Sequence, residues 1–310
     1  MNLIEPIVGK AKTGIWGLDN ILSGGFPCGH LFLVEGSPGA GKTTVALQFL
    51  LEGAKAGEKC LYITLSETER ELRDGAALHV WSLDNGIEVF ELLSPESLPD
   101  SEQQQSLLYS PDLELGETTK QIFAAVERSR PSRVVLDSLS EIRLLAQSSL
   151  RYRRQILALK HYFAKFNTTV MLLDDLTADG ADKSVHSVAH GVVRLEEPAP
   201  AYGAERRRVR VVKYRGVKFR GGYHDATITT GGLNVFPRLV ASKYRSNFVR
   251  NKMSSGIAAL DQLLGGGVET GSITLILGPR RYRQIARRWE YRIDNRGLTI
   301  GERLDGFQGI

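Results

Sequence analysis

The sequence predicts an α/β protein: a mostly parallel central sheet flanked by helices, continued by an antiparallel C-terminal extension. Three observations carry this. Apolar strand-like runs alternate with amphipathic helical stretches as far as about Gly191, the pattern that lays parallel strands side by side with helices on both faces. Beyond Gly191 strand-like runs follow one another directly with glycine turns between them, as in antiparallel pairing. The first long strand also runs straight into a glycine-rich loop that opens a helix.

In chain order, the strands expected are "HLFLVEG" from His30, "KCLYITL" from Lys59, "SRVVLDS" from Ser132 and "TTVMLLDD" from Thr168. Each is short, rich in branched residues and bounded by turn or charged residues, as buried parallel strands are. The helices expected between them are "GKTTVALQFLLEGAKAG", "ETERELRDGAALHVWS", "GETTKQIFAAVERSR" and "SSLRYRRQILALKHYFAKF". The extension comprises "GVVRLEE", "RRRVRVVKYRG", "YHDATITTGG" and "LNVFPRL". Two polar stretches, "SPESLPDSEQQQSLLYSPDLELGE" and "LVASKYRSNFVRNK", read as a surface loop and a linker.

Composition narrows the class. With 310 residues, 24% charged and 42% hydrophobic, the chain is long enough for one large domain or two small ones. A formal charge of +5 and a pI near 9.1 allow acidic partners or nucleic acid without requiring them. Cys28 and Cys60 are the only cysteines, and each flanks a strand, which suits core packing in a reducing compartment rather than a disulfide. No apolar run approaches the ~18 residues a membrane span needs, and the N-terminus lacks a signal core. A soluble, cytoplasmic protein is expected.

The chain also repeats itself. Shifted by 242 positions, "GIWGLDNILSGGFPCGHLFLVEG" aligns with "GIAALDQLLGGGVETGSITLILG" without a gap. Gly14, Ile15, Leu18, Asp19, Leu22, Gly24, Gly25, Gly29, Leu33 and Gly36 recur between Gly256 and Gly278. Ten ungapped identities with the same glycine punctuation mark a duplicated unit. The organisation expected is one complete α/β domain over 1–240, a linker over 241–252, the first part of a second repeat over 253–279 and a basic tail over 280–310.

The glycine loop carries the chemistry. "GSPGAGKTT" (Gly36, Ser37, Pro38, Gly39, Ala40, Gly41, Lys42, Thr43, Thr44) satisfies G-x-x-x-x-G-K-[ST] between a strand and a helix, the context that motif demands. Backbone N–H groups of such a loop converge on phosphate at a helix N-terminus. Lys42 is placed to reach the β- and γ-phosphates of ATP, and the Thr43 hydroxyl to hold Mg²⁺. Asp137 ends the strand "RVVLDS" and can order a Mg²⁺-bound water, although a strand-end aspartate can also simply cap. Glu67, after the strand "LYITL", is the candidate base that polarises the attacking water. Its other role is to start a helix, where the dipole favours an acid.

Taken together, "TGIWGLDNILSGGFPCGHLFLVEGSPGAGKTT", "LSETERE", "VVLDSLSEI", "VVKYRG" and "TITTGGLNVFP" resemble the bacterial circadian clock ATPases. These KaiC-like proteins stand with RecA and RadA in the recombinase-type ATPase superfamily. The resemblance runs from about Lys10 to Pro279. It implies a RecA-like P-loop NTPase core in tandem domains, assembled into hexameric rings with ATP between neighbouring subunits. It implies also that Lys213 and Arg215, in "VVKYRG", reach the neighbouring subunit's γ-phosphate, where cations supplied in trans stabilise transferring charge. Without the resemblance, these alternating basic residues read as the wet face of an edge strand.

Two departures from the family pattern matter. Where the clock proteins carry paired glutamates after the second strand, the first position here is Ser66, so one carboxylate remains. The place of the autophosphorylated Ser and Thr is matched by His186 and Ser187 in the wrong domain copy, so no autokinase activity is expected.

The second copy ends abruptly in "GPRRYRQI". If Arg280 to Ile285 are encoded CGG CGG TAC CGG CAA ATC, dropping one base restores Gly-Gly-Thr-Gly-Lys-Ser after "GP", a full phosphate loop. A one-base insertion near codon 280 is therefore the expected origin of the text beyond Pro279, and the gene's nucleotides decide it. The competing view makes "RRYRQIARRWEYR" a basic, aromatic tail suited to single strands. Three functions remain open at this point. The preferred one is a slowly hydrolysing ATP-driven oligomeric switch with a protein signalling partner. The others are a RecA/RadA-like DNA-dependent ATPase and a catalytically weak nucleotide-binding scaffold.

Overall fold

The computed structural model describes residues 9–92, 111–176, 184–198, 206–240, 251–272, 289–294 and 297–302. The chain divides into two compact units, Met1–Val240 and Ala241–Ile310.

The first unit opens with β1 (Lys10–Ala11), α1 (Trp16–Ile21) and β2 (Phe26–Pro27), β1 pairing antiparallel with β2. Then come β3 (Leu31–Gly36), α2 (Lys42–Lys55), β4 (Cys60–Thr64), α3 (Glu69–Leu78), β5 (Ile87–Glu91) and α4 (Pro111–Ser129). After these follow β6 (Arg133–Asp137), α5 (Leu139–Ala146), α6 (Ser149–Lys165), β7 (Thr169–Asp175) and α7 (Ser184–Val188). The unit closes with β8 (Gly191–Glu196), β9 (Arg207–Tyr214), β10 (Tyr223–Thr229) and β11 (Gly232–Phe236). Nine strands form one sheet in the order β11-β10-β9-β8-β3-β7-β6-β4-β5. The run from β8 to β5 is parallel, and β9 to β11 extend it antiparallel. This is the architecture read from the sequence.

Each central strand buries both faces. All six residues of β3 and all five of β4 and of β6 are buried, which explains why they read as continuous apolar runs rather than alternations. Their side chains divide by parity between two cores. Phe32, Val34, Tyr62, Val135 and Met171 meet Val45, Phe49 and Leu50 of α2 on one face. Leu33, Leu61, Ile63, Val134 and Leu172 meet Ile122 and Val126 of α4, Ile142 of α5 and Ile156 of α6 on the other.

Some local expectations change. Helix α4 begins at Pro111, inside the stretch read as a surface loop. Leu115 joins the apolar core, and burial outweighs a polar composition that by itself favours loop. The rest of that loop, 93–110, lies outside the described residues, as does most of the linker. Glu67 does not start α3. The N-cap is Thr68, whose side chain accepts from the Glu71 backbone N–H while the Glu71 carboxylate accepts from Thr68, a reciprocal capping box. Strand β5, unread in the sequence, pairs parallel with β4 at the sheet margin. Strand β9 is not an edge strand, because β8 and β10 flank it.

The second unit holds β12 (Lys252–Met253), α8 (Ala258–Leu263) and β13 (Val268–Glu269). Every boundary is displaced by 242 from β1, α1 and β2, and the duplication extends to single hydrogen bonds. The Thr13 backbone N–H donates to Asp19 Oδ1 at 2.8 Å, and that of Ser255 to Asp261 Oδ1 at 2.7 Å. Lys10 Nζ donates to Ser23 O at 2.6 Å, and Lys252 Nζ to Gly265 O at 2.6 Å. Burial differs: Ile21 is fully buried, whereas its counterpart Leu263 is 84% exposed. In the first unit α1 lies so close to β11 that a Cβ on Gly17 would stand 1.7 Å from Val235 O. The strand expected from "ITLILG" and the segment around Arg280–Ile285 lie outside the described residues. Within the tail, β14 (Trp289–Asp294) and β15 (Gly297–Glu302) form an antiparallel pair, an element the sequence reading does not expect there.

Candidate functional site

The carboxyl ends of β3, β7, β6 and β4 lie side by side, the place where open α/β sheets bind ligands. Gly36 is in register with Asp175 of β7, and Thr64 of β4 with Asp137 of β6. Everything that leaves these strand ends therefore enters one crevice.

From β3 the chain turns through Ser37, Pro38, Gly39 and Ala40 into α2. Pro38 and Gly39 are exposed, and Ala40 is buried. The turn closes with Ala40 N–H donating to Ser37 O at 3.1 Å. Gly41 is the helix N-cap at φ +99, a left-handed conformation open to glycine at no steric cost. A Cβ there would also stand 2.7 Å from Ile228 Cδ1 of β10. Lys42, Thr43 and Thr44 form the first turn of α2. No side chain caps this N-terminus, which leaves an anion-binding helix end of the usual kind.

Lys42 is buried. Its Nζ donates to Gly36 O and Ser37 O, both at 3.0 Å, and pairs with Asp175 Oδ1 at 2.7 Å. Asp137 is 6% exposed and accepts from Tyr62 Oη at 2.5 Å. Burial raises its carboxyl above the usual range, opposed by the hydrogen bond from Tyr62 and by the charge of Lys42; Asp175 pushes it up further and Thr43 down. Burial and the Asp137 charge likewise hold the Tyr62 phenol well above its ordinary value. Thr43, Tyr62 and Asp137 thus share one network.

Glu67 hangs from the loop after β4. Thr64 Oγ1 donates to its carbonyl at 2.7 Å and accepts from its N–H at 3.0 Å. Partial desolvation, then the charges of Asp137 and Glu71, raise its carboxyl. The upward direction suits a group asked to take a proton near neutral pH. Ser66 beside it is exposed.

Lys213 and Arg215 are not part of this cluster. Leu195 of β8 lies beside Gly36, but Tyr214 lies beside Gly191. Four residues of strand, roughly 13 Å, separate the two ends. Both cations grip the end of α7 instead. Lys213 Nζ donates to Ala189 O at 2.8 Å and to His186 O, and Arg215 Nη2 donates to Ser187 O at 2.7 Å. Burial, with Arg215 and Lys160 nearby, lowers the Lys213 ammonium. Cations at a helix C-terminus meet its free carbonyls and the negative end of its dipole.

Sequence reasoning overlooked three contributors. Tyr62 is a polar group in the middle of an apolar run. Asp175 closes the strand "TTVMLLDD", and the clue was that residues at carboxyl strand ends face the crevice. Glu35, next to the loop and 2% exposed, holds Arg194 at 2.7 Å and His186 at 2.7 Å, linking the phosphate-loop strand to α7. Nothing in a one-dimensional reading pairs those three.

The donor chemistry fits a magnesium-bound nucleotide. Thr43 offers a hydroxyl beside the Asp137 carboxylate, and Lys42 offers charge within the loop. Among the described residues no three His, Cys, Asp or Glu side chains form a metal cage. Magnesium is the cation that fits such a place, since it keeps its waters and binds through few protein groups plus substrate phosphates. Among the described residues no helix is long and apolar enough to cross a membrane.

Comparison with known proteins accords with the geometry. The chain is 30% identical over 275 residues to the circadian clock oscillator protein KaiC of Parathermosynechococcus lividus, covering 87% of this chain and 50% of that protein. It is 31% identical over 283 residues to KaiC of Synechococcus elongatus, covering 89% and 53%. The chain thus spans about half the length of these curated relatives. The crystal structure of the KaiC-like protein PH0186 from Pyrococcus horikoshii superposes with a TM-score of 0.62 at 26% identity, covering 74% of this chain and all of that one. A family model described as "ATPase: KaiC" matches residues 11–240, so the chain belongs to the KaiC family of RecA-fold ATPases.

Proposed function

We propose that this chain binds magnesium–ATP in the loop Gly36–Thr44 and hydrolyses it slowly as part of a homo-oligomeric ring. Nucleotide state would then set how subunits pack and which protein partner they accept. The observation that carries the reading is the convergence of Lys42, Thr43, Asp137 and Glu67 on the carboxyl ends of β3, β6 and β4. Lys42 and the loop amides hold and neutralise phosphate. Thr43 would hold the cation when it is bound, and Asp137, which accepts from Tyr62, would accept a hydrogen bond from a water beside it. Glu67 orients and deprotonates the attacking water. Magnesium, when bound, neutralises charge on the phosphates.

Lys213 and Arg215 stand too far from their own loop to serve it, which supports a role toward a neighbouring subunit's nucleotide. There they would stabilise charge developing on the transferred phosphoryl group. Lys213, with its lowered proton affinity, and the exposed Arg215 are held ready by the α7 carbonyls. The hexameric ring remains a proposal drawn from the family.

Phosphate release and solution mass, each with and without ATP, test the reading. Glu67→Gln should keep nucleotide binding and lower turnover by about 100-fold or more, the scale of general-base catalysis. Turnover unchanged in that variant would favour a binding scaffold. Arg215→Ala should lower turnover by at least about tenfold with little loss of binding, as for a cation acting in trans. Full turnover on dilution to monomers would show the cross-subunit role to be wrong. A rate that rises with added single-stranded DNA would favour a DNA-acting ATPase.

A further inference from the structure

Asp175 ends β7 in register with Gly36, and its Oδ1 lies 2.7 Å from Lys42 Nζ. The same ammonium donates to Gly36 O and Ser37 O. An ammonium has three donors, so Lys42 is wholly committed within its own chain. To reach phosphate it must leave at least one of these partners, and the charged one is Asp175.

Leaving has an electrostatic cost. Asp137 is stabilised as a carboxylate by Lys42 and destabilised by Asp175, so the two acids share one cation between them. The neighbouring cation offers no relief, because Arg143 is already paired with Asp174. Ser140 Oγ, at 3.5 Å from Asp175 Oδ2, is neutral. Once Lys42 turns to phosphate, Asp137 and Asp175 face each other across a partly buried crevice, where like charges repel far more than in water.

We propose that Asp175 couples nucleotide binding to a divalent cation: a nucleoside polyphosphate can draw Lys42 away only when it brings a replacement charge for the Asp137–Asp175 pair. A metal-free nucleotide competes with Asp175 for Lys42 and leaves both carboxylates uncompensated. A magnesium-bound one supplies the missing positive charge as it takes the lysine. Asp175 is thereby a positioning residue that acts through Lys42. The inference rests on the nucleotide-binding reading above and specifies its dependence on metal.

The test is a titration of the full chain with a fluorescent ATP analogue, once in magnesium and once in EDTA. Wild type should bind much more weakly in EDTA. Asp175→Asn should bind the metal-free analogue about tenfold more tightly than wild type does, while its affinity in magnesium changes less than about threefold. Asp175→Glu, which keeps the charge, should restore the wild-type ratio. If the asparagine variant fails to fold, Asp175→Ser is read by the same criterion. An unchanged magnesium-to-EDTA ratio in the neutral variants, or weaker binding in both buffers, overturns the proposal and leaves nucleotide binding intact. Absence of saturable uptake by wild type in either buffer overturns both.

Discussion

Lys42→Ala should abolish measurable nucleotide uptake, weakening it by about 100-fold or more, equivalent to roughly 2.7 kcal/mol. Lys42 supplies the buried positive charge at the loop, with its Nζ held by Gly36 O, Ser37 O and Asp175. Hydrogen bonds from a charged donor to phosphate are about twice as strong as neutral ones. The alanine variant forfeits these bonds and also leaves Asp175 without its ion-pair partner, so a carboxylate faces the incoming phosphate. Titration with a fluorescent adenine nucleotide measures the first effect. Circular dichroism shows whether the fold survives. A folded Lys42→Ala protein that still binds with near wild-type affinity would place the nucleotide somewhere other than Gly36–Thr44.

Arg133→Ala should cost about 3–5 kcal/mol of stability, the scale of removing one partner of a buried ion pair. Here the guanidinium is buried and Glu58 half-buried, and two carbonyls lose their donor as well. Arg133 opens β6, yet it is 2% exposed. Its Nε donates to Glu58 Oε2 at 2.6 Å and its Nη2 to Glu58 Oε1 at 3.0 Å, the two-pronged arrangement a guanidinium and carboxylate favour. Its Nη1 donates to Lys12 O at 2.6 Å and Phe49 O at 2.8 Å. The guanidinium also lies 4.7 Å from the Phe49 ring centroid. One side chain therefore ties β6 to the segment after β1, to α2 and to the turn before β4. Alanine leaves Glu58 and two carbonyls short of a donor and opens a cavity beneath Phe49. For a unit of this size each kcal/mol lowers the midpoint by roughly 2–4 °C. Thermal unfolding should show a drop of about 6–20 °C, and a fall under about 2 °C would show that water or a neighbour replaces these bonds.

Much of the site was legible because it is local. A loop of fixed spacing between a strand and a helix marks a candidate phosphate site from nine consecutive residues, and Asp137 was named as a candidate from its place at the end of an apolar run. The duplication was legible to the residue, since the boundaries of β12, α8 and β13 repeat those of β1, α1 and β2. Local reasoning failed where burial decided. The polar stretch before Gly116 becomes the first turns of α4, and Glu67 gives its expected place at the helix start to Thr68, which forms the better cap.

The amino-acid order alone determined the α/β class, the single phosphate-loop motif and the repeat of the segment that leads up to it, because each depends on periodicity or spacing visible in the sequence itself. Which strand lies beside which was decided only in three dimensions. Placing β7 and β6 between β3 and β4 sets Asp175 against Lys42 and Tyr62 against Asp137. The β8–β9 register carries Lys213 and Arg215 to the far end of the sheet. Those pairings join residues 75 to 133 positions apart, and charge acts across space at a few ångströms whatever the separation along the chain.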